Sequence, residues 1–207
     1  MRRINKSEEP QSLTAFNQSG HQDWKEIHDE KNRHVYKDCL ERCIKNQNNL
    51  CGYTEMPLTE GNRHIDHYIK RDFAPDLTFC WNNMIAAVKD SRFGADFKDK
   101  NIGRDRYDRF RHCYTNILNP LTDEFAGRFR FSADGTVEAA NDDDLKAKET
   151  INLFNLNAPS LKACRKRLME SVRAYAKGGL TKEEILDWLK CDGFVSATEF
   201  ELSFVNE

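Results

Sequence analysis

The sequence has no long run of apolar residues. Its uninterrupted apolar stretches are short, such as the five residues Met84–Val88, whereas a membrane-spanning helix needs about 20. The N-terminal segment also lacks the apolar centre of an export signal, because its basic residues run into Glu8, Glu9 and Pro10. We therefore expect a cytoplasmic protein with no membrane-spanning segment.

The seven cysteines include no Cys-x-x-Cys pair, so the usual knuckle of a structural zinc site is missing. Their number is odd and their spacing irregular, and without an export signal free thiols are the expected state. Cys39 and Cys43 lie four residues apart in a helical stretch. Packing as small apolar side chains is a better interpretation of this pair than metal binding.

Neither sign of charge dominates, since 32 Lys plus Arg stand against 34 Asp plus Glu. The charge is nevertheless unevenly distributed, so the balance does not exclude a nucleic-acid partner. Residues 89–112 contain eight basic and five acidic residues, 162–177 contain six and one, and the tail 181–207 contains two and seven. A solvated helix face is the simpler interpretation of each stretch, and a surface for a partner or nucleic acid is the alternative.

Apolar spacing predicts an α+β protein that is mainly helical. Residues 1–20 are expected to form a loose arm, and 24–46 one continuous helix. The segments LCGYTE and RHIDHYIK are typical of strands, and LTFCWNNMIAAV predicts a helix that starts near Phe79. Further along, the sequence predicts a hairpin turning at Asp134-Gly135 and helices over 142–156, 159–178 and 181–191.

The densest group of reactive side chains lies in residues 51–100. It comprises His64, Asp66, His67, Asn82, Asn83, Asp90 and Asp96. A carboxylate beside an imidazole at a strand end can divide two tasks, because one holds a divalent cation and the other takes a proton from water. Asp66 and His67 form such a pair, and a following asparagine could fix the loop. This is the layout of the ββα-metal nucleases.

Four segments of this region carry a family resemblance: CGYTE, HIDHY, FCWNNM and GADFKDK. They resemble the HNH endonucleases of retron and Septu anti-phage systems, a family called PtuB. The stretches MRRINKSEEPQSL, ILNPLTDEFAGRFRFSADGTV and TINLFNLNAPSLKACRKRL are similar to it as well. The resemblance implies a mainly helical α+β fold with a central ββα-metal core and a small hairpin. Its parts would be an N-terminal arm and helix (1–49), the HNH core (50–105), and a hairpin with a helical C-terminal region (106–207).

The resemblance also implies roles for individual residues. It makes His67 the general base that activates the attacking water. Asn83 becomes the residue that positions the loop, with Asn82 as the alternative. The residues that would contact the phosphate backbone are Arg71, Lys98 and Lys100.

One divalent ion is expected by the same resemblance. Asp66 and Asp96 would be its ligands, with Asp90 as the alternative to Asp96. Mg²⁺ is the first expectation, with Mn²⁺ or Ni²⁺ as substitutes, and the ion would bind a non-bridging phosphate oxygen and the leaving 3′ oxygen.

No structural zinc is expected, although the family commonly has four zinc cysteines around its ββα unit. Only Cys51 remains here, while Thr54, Val88 and Ala95 occupy the other three places. A lone thiolate cannot hold such an ion.

The implied function is hydrolysis of nucleic-acid phosphodiester bonds by a metal-dependent HNH endonuclease, the effector of an anti-phage defence complex. The implied partners are a PtuA-like ATPase of ABC or SMC type and, in retron versions, a reverse transcriptase with its multicopy single-stranded DNA. Two alternatives stay open. One is the same chemistry on an RNA such as tRNA, and the other is a non-catalytic adaptor of the complex.

Overall fold

The computed structural model describes residues 1–102 and 114–205. These residues form an α+β fold that is mainly helical, as the apolar spacing predicts. Its helices are α1 (Gln11–Gln18), α2 (Arg33–Asn46), α3 (Gly94–Asn101), α4 (Leu145–Leu153), α5 (Pro159–Lys177), α6 (Lys182–Leu189) and α7 (Val195–Leu202). Its strands are β1 (Arg63–His67), β2 (Met84–Val88), β3 (Phe129–Phe131) and β4 (Val137–Ala139), paired antiparallel as β1–β2 and β3–β4.

The N-terminal residues pack on the core, so the prediction of a loose arm was wrong. Leu13 and Phe16 of α1 are buried, and so are Met1 and Ile4 in the extended segment before it. Only these few apolar side chains stand among Ser, Thr, Asn and Gln. The helical period of this segment is therefore weak, although all four of these large apolar side chains are buried.

The helix predicted over 24–46 is interrupted. Trp24–His28 forms a short 3-10 turn that is capped by Asp23, and α2 begins only at Arg33. The run from 29 to 34 is entirely polar, so a continuous helix would have no apolar side chain to bury there. One consequence is that Trp24 leaves the line of α2 and packs on the end of β1, with its ring centroid 4.5 Å from that of His67.

The ββα order is present, but its elements lie further along the chain than predicted. LCGYTE is not a strand and supplies only an isolated bridge between Leu50 and Pro57. The second strand is MIAAV, the segment predicted to lie in a helix from Phe79. All five residues of β2 are buried, so the alternation that distinguishes a strand from a helix is absent from its sequence. Helix α3 follows β2 and completes the unit.

From β3 to α6 the structure follows the sequence pattern closely, whereas helix α7 was not predicted. The hairpin β3–β4 turns at Asp134-Gly135, where a Cβ on Gly135 would lie 2.0 Å from the carbonyl oxygen of Lys162. The expected capping box of α6 is present, since Thr181 N donates to Glu184 Oε2 at 2.8 Å and Glu184 N donates to Thr181 Oγ1 at 3.2 Å. Within the described ranges, no helix is both long and apolar enough to cross a bilayer.

Glu55 joins the N-terminus and the C-terminal helices to the ββα unit. Its carboxylate is 2 % exposed and pairs with the N-terminal ammonium of Met1 at 2.7 Å. The amide and hydroxyl of Ser196 in α7 donate to it at 2.8 and 2.5 Å. Burial raises the pKa of Glu55, but the ammonium and Ser196 outweigh burial, and the pKa is lowered. The carboxylate is therefore charged at neutral pH.

We expect Glu55→Gln to lower the free energy of unfolding by about 3 kcal/mol, because it leaves a buried ammonium without its counter-charge. Urea unfolding at pH 7 measures this loss. Glu60→Gln, at an exposed position of the same loop, should stay within about 0.5 kcal/mol of the wild type.

The pH dependence of this loss follows from the lowered pKa. The contribution of Glu55 is present above the unfolded pKa of about 4.3 and is lost as the pH falls through the folded value. Wild type and Glu55→Gln should therefore converge in strongly acidic solution. Equal stability at pH 7 would contradict the role of the ion pair.

Candidate active site

Strand β1 ends on Asp66 and His67, and the pleat sends these adjacent side chains to opposite faces. The side chain of Asp66 contacts Lys98 on α3. The imidazole of His67 lies on the other side against Trp24, with the two ring planes at 85°. Each of the two residues is 6 % exposed. The pair is therefore adjacent in sequence but occupies two separate environments.

The imidazole of His67 is held through one nitrogen. Nε2 lies 2.7 Å from the carbonyl oxygen of Thr78, and a carbonyl can only accept, so Nε2 carries the proton. Nδ1 accepts no hydrogen bond from the described residues, and it is not among their fully buried unpaired atoms. Burial lowers the pKa of His67 to about 4, against the opposing effects of Thr78 and Asp66. At neutral pH the ring is uncharged and has a free lone pair on Nδ1.

Asn83 clamps the backbone that follows His67. The amide of Ile69 donates to Asn83 Oδ1 at 2.8 Å, and Asn83 Nδ2 donates to the carbonyl oxygens of Ile69 and Leu77 at 3.0 and 3.3 Å. The side chain of Asn83 is buried, whereas Asn82 is exposed. Asn83 therefore holds the backbone of this loop, and its role in an active site stays a prediction from the resemblance.

Asp66 is satisfied by two donors on one oxygen. Its Oδ2 accepts from the hydroxyl of Tyr53 at 2.5 Å and from Nζ of Lys98 at 2.9 Å. Tyr53 is itself completely buried and stacks on Phe154, with 4.5 Å between ring centroids. The carboxylate predicted as a metal ligand is thus already neutralised by a fixed side chain.

Lys98 does not face solvent, so its predicted contact with the phosphate backbone was wrong. The residue is completely buried, and Nζ also donates to the carbonyl oxygens of His67 and Tyr68 at 2.8 and 3.1 Å. Burial lowers the pKa of Lys98, but the carboxylates of Asp66 and Asp99 outweigh burial and raise it above its usual value. The ammonium stays charged and bonded to β1.

The two remaining candidate ligands do not join Asp66. Asp96 lies beside His64, with Nε2 and Oδ1 3.8 Å apart. Asp90 is held by the guanidinium of Arg92 at 2.9 and 2.6 Å, and these hydrogen bonds lower its pKa.

These contacts do not fit the expected divalent ion at Asp66. An ion there would have to displace a buried ammonium, and the neighbouring carboxylates have other partners. In residues 1–102 and 114–205, no three His, Cys, Asp or Glu side chains come together in a way that could hold a metal. The divalent ion stays a prediction from the resemblance.

The four positions at which the family commonly has zinc cysteines are part of the core. Cys51, Thr54, Val88 and Ala95 are all buried. The amide of Val88 donates to Cys51 Sγ at 3.4 Å, so this thiol takes part in local packing.

Two of the predicted phosphate-binding residues are exposed. Lys100 lies on the outer side of α3, and Arg71 follows the loop after β1. The guanidinium carbon of Arg71 lies 5.5 Å from the ring centroid of Trp24, and its charge also lowers the pKa of His67. Arg71 and His67 therefore flank one aromatic ring. The remainder of the predicted basic stretch, 103–112, lies outside the described residues.

No model of a known protein family matches the chain, and no curated protein matches it. The interpretation of the site therefore rests on the sequence segments and the geometry above.

Three groups of the site were not predicted from the sequence: Trp24, Tyr53 and the carbonyl of Thr78. None of these carries a local signal, because each reaches the end of β1 only through the tertiary fold.

We expect Asn83→Ala to lower the free energy of unfolding by about 2 kcal/mol, because the buried amide and carbonyl of Ile69 lose their partners. Amide hydrogen exchange at Ile69 should become faster. Asn82→Ala removes the same side chain one residue earlier, at an exposed position, and should change neither quantity. Equal effects of the two substitutions would contradict the clamp.

We also expect His67 to make stability depend on pH. Between about pH 6.5 and 4 the unfolded chain binds a proton on His67 that the folded protein does not, so stability falls as the pH falls through this window. The full effect is about 3 kcal/mol. Urea unfolding across this range should show a shallower dependence for His67→Gln, whereas His34→Gln, at an exposed position, should follow the wild type. Parallel curves for wild type and His67→Gln would contradict the lowered pKa.

Proposed function

We propose that the chain is a phosphodiester hydrolase of HNH type in which His67 takes a proton from the attacking water. The observation that carries this proposal is the neutral imidazole, held through Nε2 by Thr78, with Nδ1 accepting no hydrogen bond from residues 1–102 and 114–205. A general base needs a fixed orientation, a defined tautomer and an unprotonated state at the working pH, and His67 has all three. The clamp made by Asn83 supports the proposal, since it fixes the segment that follows the base.

The charges around His67 suit a polyanionic substrate. Arg71 is exposed and lies near the ring of Trp24, where its guanidinium can bind a phosphate in a bidentate manner. A phosphate placed there would bring negative charge towards the imidazole and raise the pKa of His67. The base would then become stronger when substrate is bound. Lys100 supplies a second exposed cation on α3.

The expected divalent ion adds no step to this proposal. Mg²⁺, Mn²⁺ or Ni²⁺ would supply positive charge to a phosphate oxygen, but the carboxylates of this chain do not form a fitting site. The steps assigned to the chain are proton transfer at Nδ1 of His67 and orientation of the phosphate by Arg71 and Lys100.

The place of the chain in an anti-phage complex belongs to the same proposal and is supported by the sequence resemblance. The partners would be a PtuA-like ATPase and, in a retron, a reverse transcriptase with its single-stranded DNA.

The basic helix α5 and the acidic C-terminal tail were the candidate surfaces for a partner, but some of their charged side chains are engaged in contacts within the chain. Arg165 of α5 is buried and donates to the carbonyl oxygens of Gly135 and Leu156, and Arg173 pairs with Glu201 at 2.7 Å.

One observation favours the non-catalytic adaptor as a second candidate. His67 is only 6 % exposed, and the carboxylate of Asp66 is closed off by Lys98. The side chain of His67 therefore offers a substrate little exposed surface. The two candidates make different predictions. The hydrolase cleaves nucleic acid and needs His67 to do so, whereas the adaptor cleaves nothing.

We expect purified protein, alone and with its ATPase partner, to cleave plasmid DNA or total tRNA, and His67→Ala to slow cleavage at least about 100-fold. The substrate that is cut distinguishes a DNA from an RNA enzyme. Asn82→Ala serves as the matched control and should cleave at the wild-type rate.

Cleavage by folded His67→Ala at the wild-type rate would contradict the proposed mechanism. If the wild type cuts neither substrate while His67→Ala still protects cells against phage, the adaptor is the correct candidate.

A further inference from the structure

The ammonium of Lys98 lies within a shell of four oxygen atoms at the end of β1. Three are hydrogen-bond acceptors: Asp66 Oδ2 at 2.9 Å, the carbonyl oxygen of His67 at 2.8 Å and that of Tyr68 at 3.1 Å. The fourth is Asp99 Oδ1 at 3.2 Å. Two carboxylates and two carbonyls are the hard oxygen ligands that Ca²⁺, Mg²⁺ and Mn²⁺ prefer.

The oxygen of Asp99 distinguishes this shell from an ordinary ion pair. Asp99 Oδ1 is buried and receives no hydrogen bond from the residues that the structure describes. It lies 3.2 Å from Nζ of Lys98, so it brings a second carboxylate charge to the shell.

The buried face of helix α3 places the side chain of Lys98 at the end of β1. Its buried residues are Gly94, Ala95 and Lys98, which share one face because they are three or four positions apart. The two small residues let the first turn approach the sheet. The long side chain one turn later then reaches the end of β1. Lys100 of the same helix is exposed, so burial is specific to position 98.

We propose that the four oxygens form a cation site that the chain fills with its own lysine, so that Lys98 supplies the positive charge beside Asp66 for which a divalent ion was expected. A divalent ion and the ammonium compete for the same oxygens, and the wild type therefore binds no divalent ion at Asp66. Lys98 also donates to the carbonyl oxygen of His67 at 2.8 Å. Only one consequence rests on the proposed function: if the chain is a hydrolase, cleavage needs no metal at Asp66.

The test is thermal unfolding of the full chain in the presence of Ca²⁺ or Mn²⁺. Lys98→Ala leaves two carboxylates without a cation and should lower the unfolding midpoint by about 10 °C. Millimolar Ca²⁺ or Mn²⁺ should then raise the midpoint of this variant by about 4 °C or more, as expected of an ion that binds only the folded state. The double variant Lys98→Ala/Asp66→Asn should lose this rescue. Lys100→Ala should behave as the wild type in both respects.

Two results would overturn the proposal. One is Lys98→Ala that folds but gains no stability from either ion. The other result needs no Lys98 variant. It is binding of Mn²⁺ to the wild type, measured by electron paramagnetic resonance, if that binding is lost in Asp66→Asn. All of these readouts are stability or binding and not cleavage, so they stand or fall separately from the proposed hydrolase.

Discussion

The buried ion pair between Asp66 and Lys98 fixes the end of β1 against α3. Two charges removed from water are costly unless every bonding group around them is satisfied. Here the three protons of the ammonium are matched by the carboxylate and by the carbonyl oxygens of His67 and Tyr68. The lysine thus binds the backbone of β1 at the residue whose side chain carries the proposed chemistry.

His67 is consequently held from two sides. Lys98 holds its carbonyl on the face towards α3, and Thr78 holds its ring on the face towards Trp24. The strand pleat keeps the charged pair away from the imidazole, which lies among apolar and aromatic groups. Burial therefore dominates the pKa of His67, and the nearby carboxylate of Asp66 raises it too little to compensate. The imidazole is therefore neutral at pH 7.

Much of the C-terminal half could be predicted because its signals are local. The capping box of Thr181 and Glu184, and the turn at Asp134-Gly135, each determine an element from a few neighbouring residues. The ββα unit could be predicted only in its order. MIAAV is apolar at every position, so neither helical nor strand period is visible in it, and its pairing with β1 decides the structure.

The residues of the site divide in the same way. The segments around Asp66, His67 and Asn83 stand out in the sequence because a carboxylate, an imidazole and an amide lie close together there. The roles that the resemblance implies for them stay predictions. The burial of Lys98 could not be predicted, because a lysine in a charged helix is usually exposed and is almost never buried without a charged partner. Its partner Asp66 lies 32 positions earlier, and nothing in the sequence of α3 indicates that the two residues pair.

A lysine in a cation shell has different chemistry from a divalent ion in the same place. It carries one charge, does not exchange with solvent, and cannot bind a water or a phosphate oxygen while its protons are engaged. Negative charge that develops on a phosphate must therefore be balanced from outside the shell. In the proposed hydrolase Arg71 would suit this task, since it is exposed, permanently charged and lies near the same Trp24 ring that His67 contacts. The shell would then organise the strand end, and the exposed arginine would meet the substrate.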